Sequence, residues 1–128
     1  MKVSTDPKNF EMPLIDEGTY EATITGMKIN QTSKGTPQAS FQMQVFFEGK
    51  KRNVFCNIVC QENTLWRFNA LYKAIIGESI PKQDFESEQD FLNWLFGEVN
   101  GSSLNINITH EIIPEGKHKG ETREQVNF

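Results

Sequence analysis

Between residues 38 and 47 the chain alternates without a break. Ala39, Phe41, Met43, Val45 and Phe47 fall on one side, while Gln38, Ser40, Gln42, Gln44 and Phe46 fall on the other. Successive side chains point to opposite faces in an extended strand, so this segment has one face for a core and one for solvent. A helix would scatter the same residues around its axis. The alternation recurs on both sides. Tyr20, Ala22 and Ile24 alternate with Glu21, Thr23 and Thr25, and Val54, Cys56, Ile58 and Cys60 alternate with Asn53, Phe55, Asn57 and Val59. At Gly26 the phase slips, because Met27 and Ile29 carry the apolar positions from there on. A glycine at a phase change predicts a bulge or bend, and a long, bent first strand is what a small closed barrel needs. Between the second strand and the third, which is expected over 52–60, Glu48-Gly49-Lys50-Lys51 predicts a hairpin connection with Gly49 free to take positive φ.

From residue 63 to 76 the period changes. Leu65, Phe68, Leu71, Tyr72 and Ile75 recur at helical spacing, with Asn63 or Thr64 as the expected N-cap and Gly77 as the stop. A second, shorter helix is expected over 87–96, gathering Phe91, Leu92, Leu95 and Phe96 on one side and ending at Gly97. Leu104, Ile106 and Ile108 then alternate with Asn105, Asn107 and Thr109 in a strand that runs on to residue 113. Residues 114–120 read as a loop and 122–128 as a last short strand. The expected fold class is therefore all-β with a helical insert: a five-stranded oligonucleotide/oligosaccharide-binding (OB) barrel with one or two helices between the third and fourth strands.

A chain of 128 residues suits one domain, read here as an N-terminal arm over 1–17 and a single OB-like domain over 18–128. No apolar run approaches the length needed to span a bilayer, and the N-terminus has no hydrophobic signal region. The expectation is a soluble, cytoplasmic protein without a membrane partner. Cys56 and Cys60 sit four apart in a predicted strand, on one face but beyond disulfide reach, and read as reduced core thiols. With His110 and His118 they do not make a zinc-finger spacing, so no metal and no cofactor is expected. A Gly-rich phosphate loop, a nucleophile elbow and a paired-carboxylate signature are all missing, which argues against an enzyme. Asp84, Glu86, Glu88 and Asp90 read as a solvated helix start, where the macrodipole favours acids.

The formal charge is −4, yet it is unevenly spread. Within residues 28–52 the cations Lys28, Lys34, Lys50, Lys51 and Arg52 face the single acid Glu48. Binding single-stranded nucleic acid without sequence preference takes a basic surface for the phosphates and aromatic faces for the bases. Those five cations supply the first. Phe46 and Phe55, on the polar faces of strands two and three beside Gln42, Gln44, Asn53 and Asn57, supply the second, with charges and rings expected on one face. The competing reading packs both rings beneath the helices or the arm. Lys117 and Lys119, with Arg123, form a second basic cluster in the last loop; its alternative is a balanced surface loop, since Glu115 and Glu121 bracket it. Trp66 and Arg67 open the first helix and Trp94 sits in the second, where tryptophans are expected at core or interface positions.

Four segments also carry a family resemblance: Glu17-Gly18-Thr19-Tyr20-Glu21-Ala22, Thr32-Ser33-Lys34-Gly35-Thr36-Pro37, Asn57-Ile58-Val59 leading into Glu62-Asn63-Thr64-Leu65-Trp66-Arg67-Phe68, and residues 120–128. In that order they resemble a family of small bacteriophage proteins, long filed as a domain of unknown function, whose members look like OB-fold single-stranded DNA-binding proteins. The resemblance covers most of residues 13–128. It implies a sequence-nonspecific protein that protects single-stranded DNA in replication or recombination, in the host cytoplasm. Single-stranded DNA is the implied partner, with replication or recombination proteins as candidates beside it. Phe-rich strand edges would permit a homodimer. Many such proteins recruit partners through a flexible acidic tail; none follows Phe128, so that route is not expected. The overall acidity favours an alternative of another class: an OB-like protein-interaction module, such as a phage factor that inhibits or adapts a host enzyme.

Overall fold

The period-two stretches fold as strands and the helical stretches as helices. The structure, a computed structural model, describes residues 14–128. In chain order it contains β1 (Gly18–Gln31), β2 (Pro37–Phe47), β3 (Lys50–Val59), α1 (Leu65–Ile76), α2 (Glu88–Val99), β4 (Ser103–Ile112) and β5 (Thr122–Asn127). The strands form one five-stranded sheet in the order β3-β2-β1-β4-β5. Every ladder is antiparallel, so β1, β3 and β5 run the same way. The two edge strands β3 and β5 come together without joining the ladder, which makes the sheet a nearly closed barrel. This order, with both helices between β3 and β4, is consistent with an OB-like barrel carrying a helical insert.

The phase slip in β1 is a bulge. Ile24 lies opposite Met43 and Gly26 opposite Gln42, leaving Thr25 as the extra residue. Before it Ala22 and Ile24 are buried; after it Met27 and Ile29 pack against the same core. The turn between α2 and β4 is fastened at this point, because Gly101 N–H donates to Ile24 C=O and Ile24 N–H donates to Ser102 C=O, both at 2.9 Å.

The hairpin is tighter than expected. Its turn is only Glu48-Gly49, both at positive φ (53° and 77°), and Lys50 and Lys51 already belong to β3. Positive φ at both central residues makes this a primed turn, whose twist suits an antiparallel pair. Gly77 ends α1 at φ 91°, its N–H donating to the Lys73 carbonyl at 2.9 Å. Thr64 occupies the N-cap position of α1 but does not cap it. Its hydroxyl instead donates back to the carbonyls of Val59 and Gln61, tying a 3-10 turn (Glu62–Thr64) to the end of β3. The second helix does not stop at Gly97. It runs on to Val99, whose side chain is fully buried, and that burial outweighs the roughly 1 kcal/mol a mid-helix glycine costs.

The core fills the barrel and continues beneath both helices. Trp94 stacks on Tyr72 with ring centroids 5.8 Å apart, and Phe68 meets Phe91 edge-on at 5.5 Å, so the two helices are clamped by aromatic rings. Cys56 and Cys60 are free, buried thiols. Burial pushes Cys56 up to about 11, with the Arg67 guanidinium pulling the other way. Burial raises Cys60 too, with Glu88 adding to it. Among the described residues, no helix is long and apolar enough to cross a membrane.

The arm expected over 1–17 lies outside the described residues as far as position 13. From there the chain is bound to the barrel. Ile15 is fully buried, its N–H donates to Glu124 Oε2 and its carbonyl pairs with His110 Nε2, each at 2.7 Å. Glu17 accepts the His110 N–H at 2.8 Å, and the Tyr20 hydroxyl donates to the Asp16 carbonyl at 2.6 Å.

Two stability outcomes follow from this geometry. Ile15→Ala should lower unfolding free energy by about 2–4 kcal/mol, as for a core deletion, whereas Leu14→Ala, at an exposed position, should be near neutral; urea titration of both variants checks the difference. In the hairpin, Glu48→Asn should raise the urea midpoint by relieving the left-handed conformation, and Gly49→Val should cost about 1–2 kcal/mol. A Gly49→Val midpoint equal to wild type would contradict the turn geometry.

Candidate nucleic-acid interface

The buried side chains of each strand are apolar, so the opposite parity forms an outer face across β1, β2 and β3. Its register is direct. Lys28 lies opposite Ser40, and Ser40 opposite Asn57; Gly26 lies opposite Gln42, and Gln42 opposite Phe55; Gln44 faces Asn53, and Phe46 faces Lys51. Phe46 is 66% exposed and Phe55 55% exposed, so neither ring packs under a helix among the described residues. The row containing Phe55 ends at Gly26, which offers no side chain. The result is a shallow hollow of about 140 Å³ walled by Lys28, Ser40, Gln42 and Phe55.

On its other side Phe55 lines a larger polar groove, about 410 Å³, where β3 and β5 meet without pairing as ladder neighbours. Asn57, Gln38, Arg67, Arg123 and Gln125 line it as well. Arg67 arrives from α1, its Nη1 donating to the Asn57 carbonyl at 3.5 Å. Both carboxylates of the groove are engaged: Glu111 accepts from Arg123 Nε at 2.5 Å, and Glu124 holds the Ile15 N–H. Two guanidinium groups and two carboxylates make the groove formally neutral, and the outer-face cations Lys28 and Lys51 lie outside it.

The structure does not bring all of the expected cations together. Lys28, Gln42, Gln44, Phe46, Lys51, Phe55 and Asn57 share the outer face. Lys50 and Arg52 do not, because they pair with Phe47 and Val45 and so fall on the core-side parity at the end of the barrel. A run of three adjacent cations in a strand cannot all face one way. Lys34 is exposed in the β1–β2 turn, which Thr32 closes by accepting the Gly35 N–H at 2.8 Å and donating its own to Thr36 at 2.9 Å. Lys117 and Lys119 are exposed in the loop before β5, where Ile113 and Glu121 close the base at 2.9 Å and His118 Nδ1 lies 2.9 Å from Glu121. Arg123 lies on the outer parity of β5, opposite Glu111 of β4.

Two groups outside the expected site adjoin it. Arg67 reaches the groove, and Trp66 beside it is 68% exposed. Trp66 and Arg67 share a small hollow, about 60 Å³, with Asn127 and Phe128. The signal was present in the helical period: Trp66 precedes the buried Phe68 by two residues, which puts them about 200° apart around the axis. Trp94, by contrast, belongs to the aromatic clamp.

No curated protein matches the chain. A family model described as a protein of unknown function (DUF669) matches residues 3–127. That span includes every strand of the barrel and both helices. The chain therefore belongs to the DUF669 family of proteins of unknown function.

Proposed function

We propose that the chain is an OB-fold protein that binds single-stranded DNA with little sequence preference, shielding it in replication or recombination. The supporting observation is Phe55: an exposed ring on the middle of β3, standing between two hollows, with Gln42 across the strand pair and Asn57 beside it. An exposed phenylalanine forgoes roughly 1.5–3 kcal/mol of burial, and stacking a base on it offers roughly 1–3 kcal/mol. Phe46 is a second ring on the same face. Every base has a π-face, so stacking is tolerant of sequence, while the amides of Gln42, Gln44 and Asn57 can donate or accept. A duplex keeps its bases stacked on each other and cannot use the rings. Lys28 and Lys51 sit where phosphates flanking the stacked bases would run. The reading needs no cofactor and no catalytic group.

A second reading, an OB-like module for protein contacts, is favoured by one observation. Between α1 and the chain leading into α2 lies a hollow of about 410 Å³ with Ile80, Phe85 and Phe91 in its wall and Asp84, Glu86 and Glu88 around it, and none of its lining residues is cationic. An acidic rim over apolar walls suits a basic, apolar partner surface.

Anisotropy titration of a labelled dT oligomer distinguishes the two. Tight binding at low salt, weaker binding to duplex, and a loss of about tenfold or more in Phe55→Ala are expected. A chain that binds no oligomer at low salt would sink the DNA reading and leave the protein-contact one. The face assignment has its own check. Lys51→Gln should reduce the slope of log K against log salt by about 0.7, the value of one single-strand phosphate contact, and Lys50→Gln should leave it unchanged.

A further inference from the structure

We infer that the DNA path does not end in the groove between β3 and β5 but turns onto the first turn of α1, where Trp66 stacks a further base and Arg67 bridges the two stretches. The inference rests on the single-strand reading above. Three hollows follow one another and share walls. The one at Lys28 and Gln42 shares Phe55 with the groove, and the groove shares Arg67 with the hollow at Trp66, Asn127 and Phe128. The order along the surface is thus Lys28, Phe55, Arg67, Trp66, crossing the strands rather than following one.

The chemistry of each member suits that order. Trp66 is 68% exposed on a helix whose neighbouring Phe68 is fully buried, so its position is fixed by the core while its ring faces water. The bond from the Thr64 hydroxyl to the Val59 carbonyl ties this first turn to the end of β3, the strand that carries Phe55. A rigid indole costs little ordering entropy when a base stacks on it. Arg67, between the rings, has a planar guanidinium that can fork to a phosphate or lie on a base face. The hollow beside Trp66 is only about 60 Å³, too small to admit an anchoring side chain, so the ring serves as a platform rather than a wall.

Trp66 also reports on its own occupancy, because the other tryptophan, Trp94, is half-buried and stacked on Tyr72. The test titrates the full chain with dT oligomers of increasing length, reading indole emission and, on the same oligomers with a fluorescein label, anisotropy. Short oligomers should bind across β1–β3 with little change in emission, and longer ones should quench it. Trp66→Phe should lose most of the quench while keeping affinity within about twofold, since a phenyl ring still stacks. Trp66→Ala should weaken only the longer oligomers, by about tenfold, with an unchanged thermal midpoint, whereas Phe55→Ala should weaken all of them. If labelled oligomers bind but Trp66→Ala binds every length as wild type does, the extended path is overturned and the single-strand reading stands. A quench already complete with the shortest oligomer that binds would overturn it as well. If no oligomer binds at all, both fall together.

Discussion

One strand holds this barrel together. The first half of β1 pairs with β4 and the second half with β2, so every other strand is reached through it. A single strand can serve two neighbours on a curved surface only by bending, and the extra residue at Thr25 provides the bend. The same insertion shifts the facing of everything after it. It turns Met27 and Ile29 inward and Lys28 outward, opposite Ser40. Without it, Lys28 would take core-side parity and the outer face would lose its one β1 cation. The backbone bonds from Gly101 and to Ser102 close on Ile24, so the return from the helical insert is anchored to that bend too.

The exposed aromatic rings acquire meaning from the completeness of the core. No buried polar or charged side chain is found among the described residues, and the buried side chains of all five strands are apolar. Phe46, Phe55 and Trp66 are therefore not displaced core residues. Each sits at a position whose parity or helical phase faces solvent, with Val45 next to Phe46, Val54 and Cys56 on either side of Phe55, and Phe68 two residues after Trp66 all buried. Single exposed hydrophobic residues are ordinary on protein surfaces. Here Phe55 lines the groove that Arg67 enters, and Trp66 lines the hollow that shares Arg67 with it, which is a spatial relation rather than a matter of composition.

Most of the strands were legible because a half-buried strand writes its period directly into the sequence, and Gly26 marked the phase change. The helices were legible for the same reason, though their ends were not. The second helix passed Gly97 because burying Val99 is a tertiary gain that local propensity does not record. Thr64, one of the two expected N-caps, occupies that position, but its hydroxyl goes to Val59, a partner five residues upstream in a strand. In the candidate site, parity alone separates Lys51 from Lys50 and Arg52, yet their adjacency in sequence suggests a cluster. What sequence could not supply is the meeting of β3 with β5. Arg67, Arg123 and Phe55 become neighbours only when the barrel closes, and no local pattern joins positions so far apart along the chain.

The uneven charge also has a structural boundary. On α1, Leu65 lines the acid-rimmed hollow with Glu86 and Glu88, while Trp66, the next residue, lines the hollow on the side of the groove. The helix turns by about 100° between them, so a single residue step separates a surface that repels phosphate from one that the proposed path would use. On the DNA reading, a strand continuing past Trp66 onto the Leu65 side of α1 would approach Asp84, Glu86 and Glu88, which line the same hollow as Leu65, and their like charge would disfavour going further. The acidity that speaks against a general nucleic-acid binder would then act as a stop. On that reading it would confine the strand to the face where the rings are, and would leave the acidic hollow open to a basic partner.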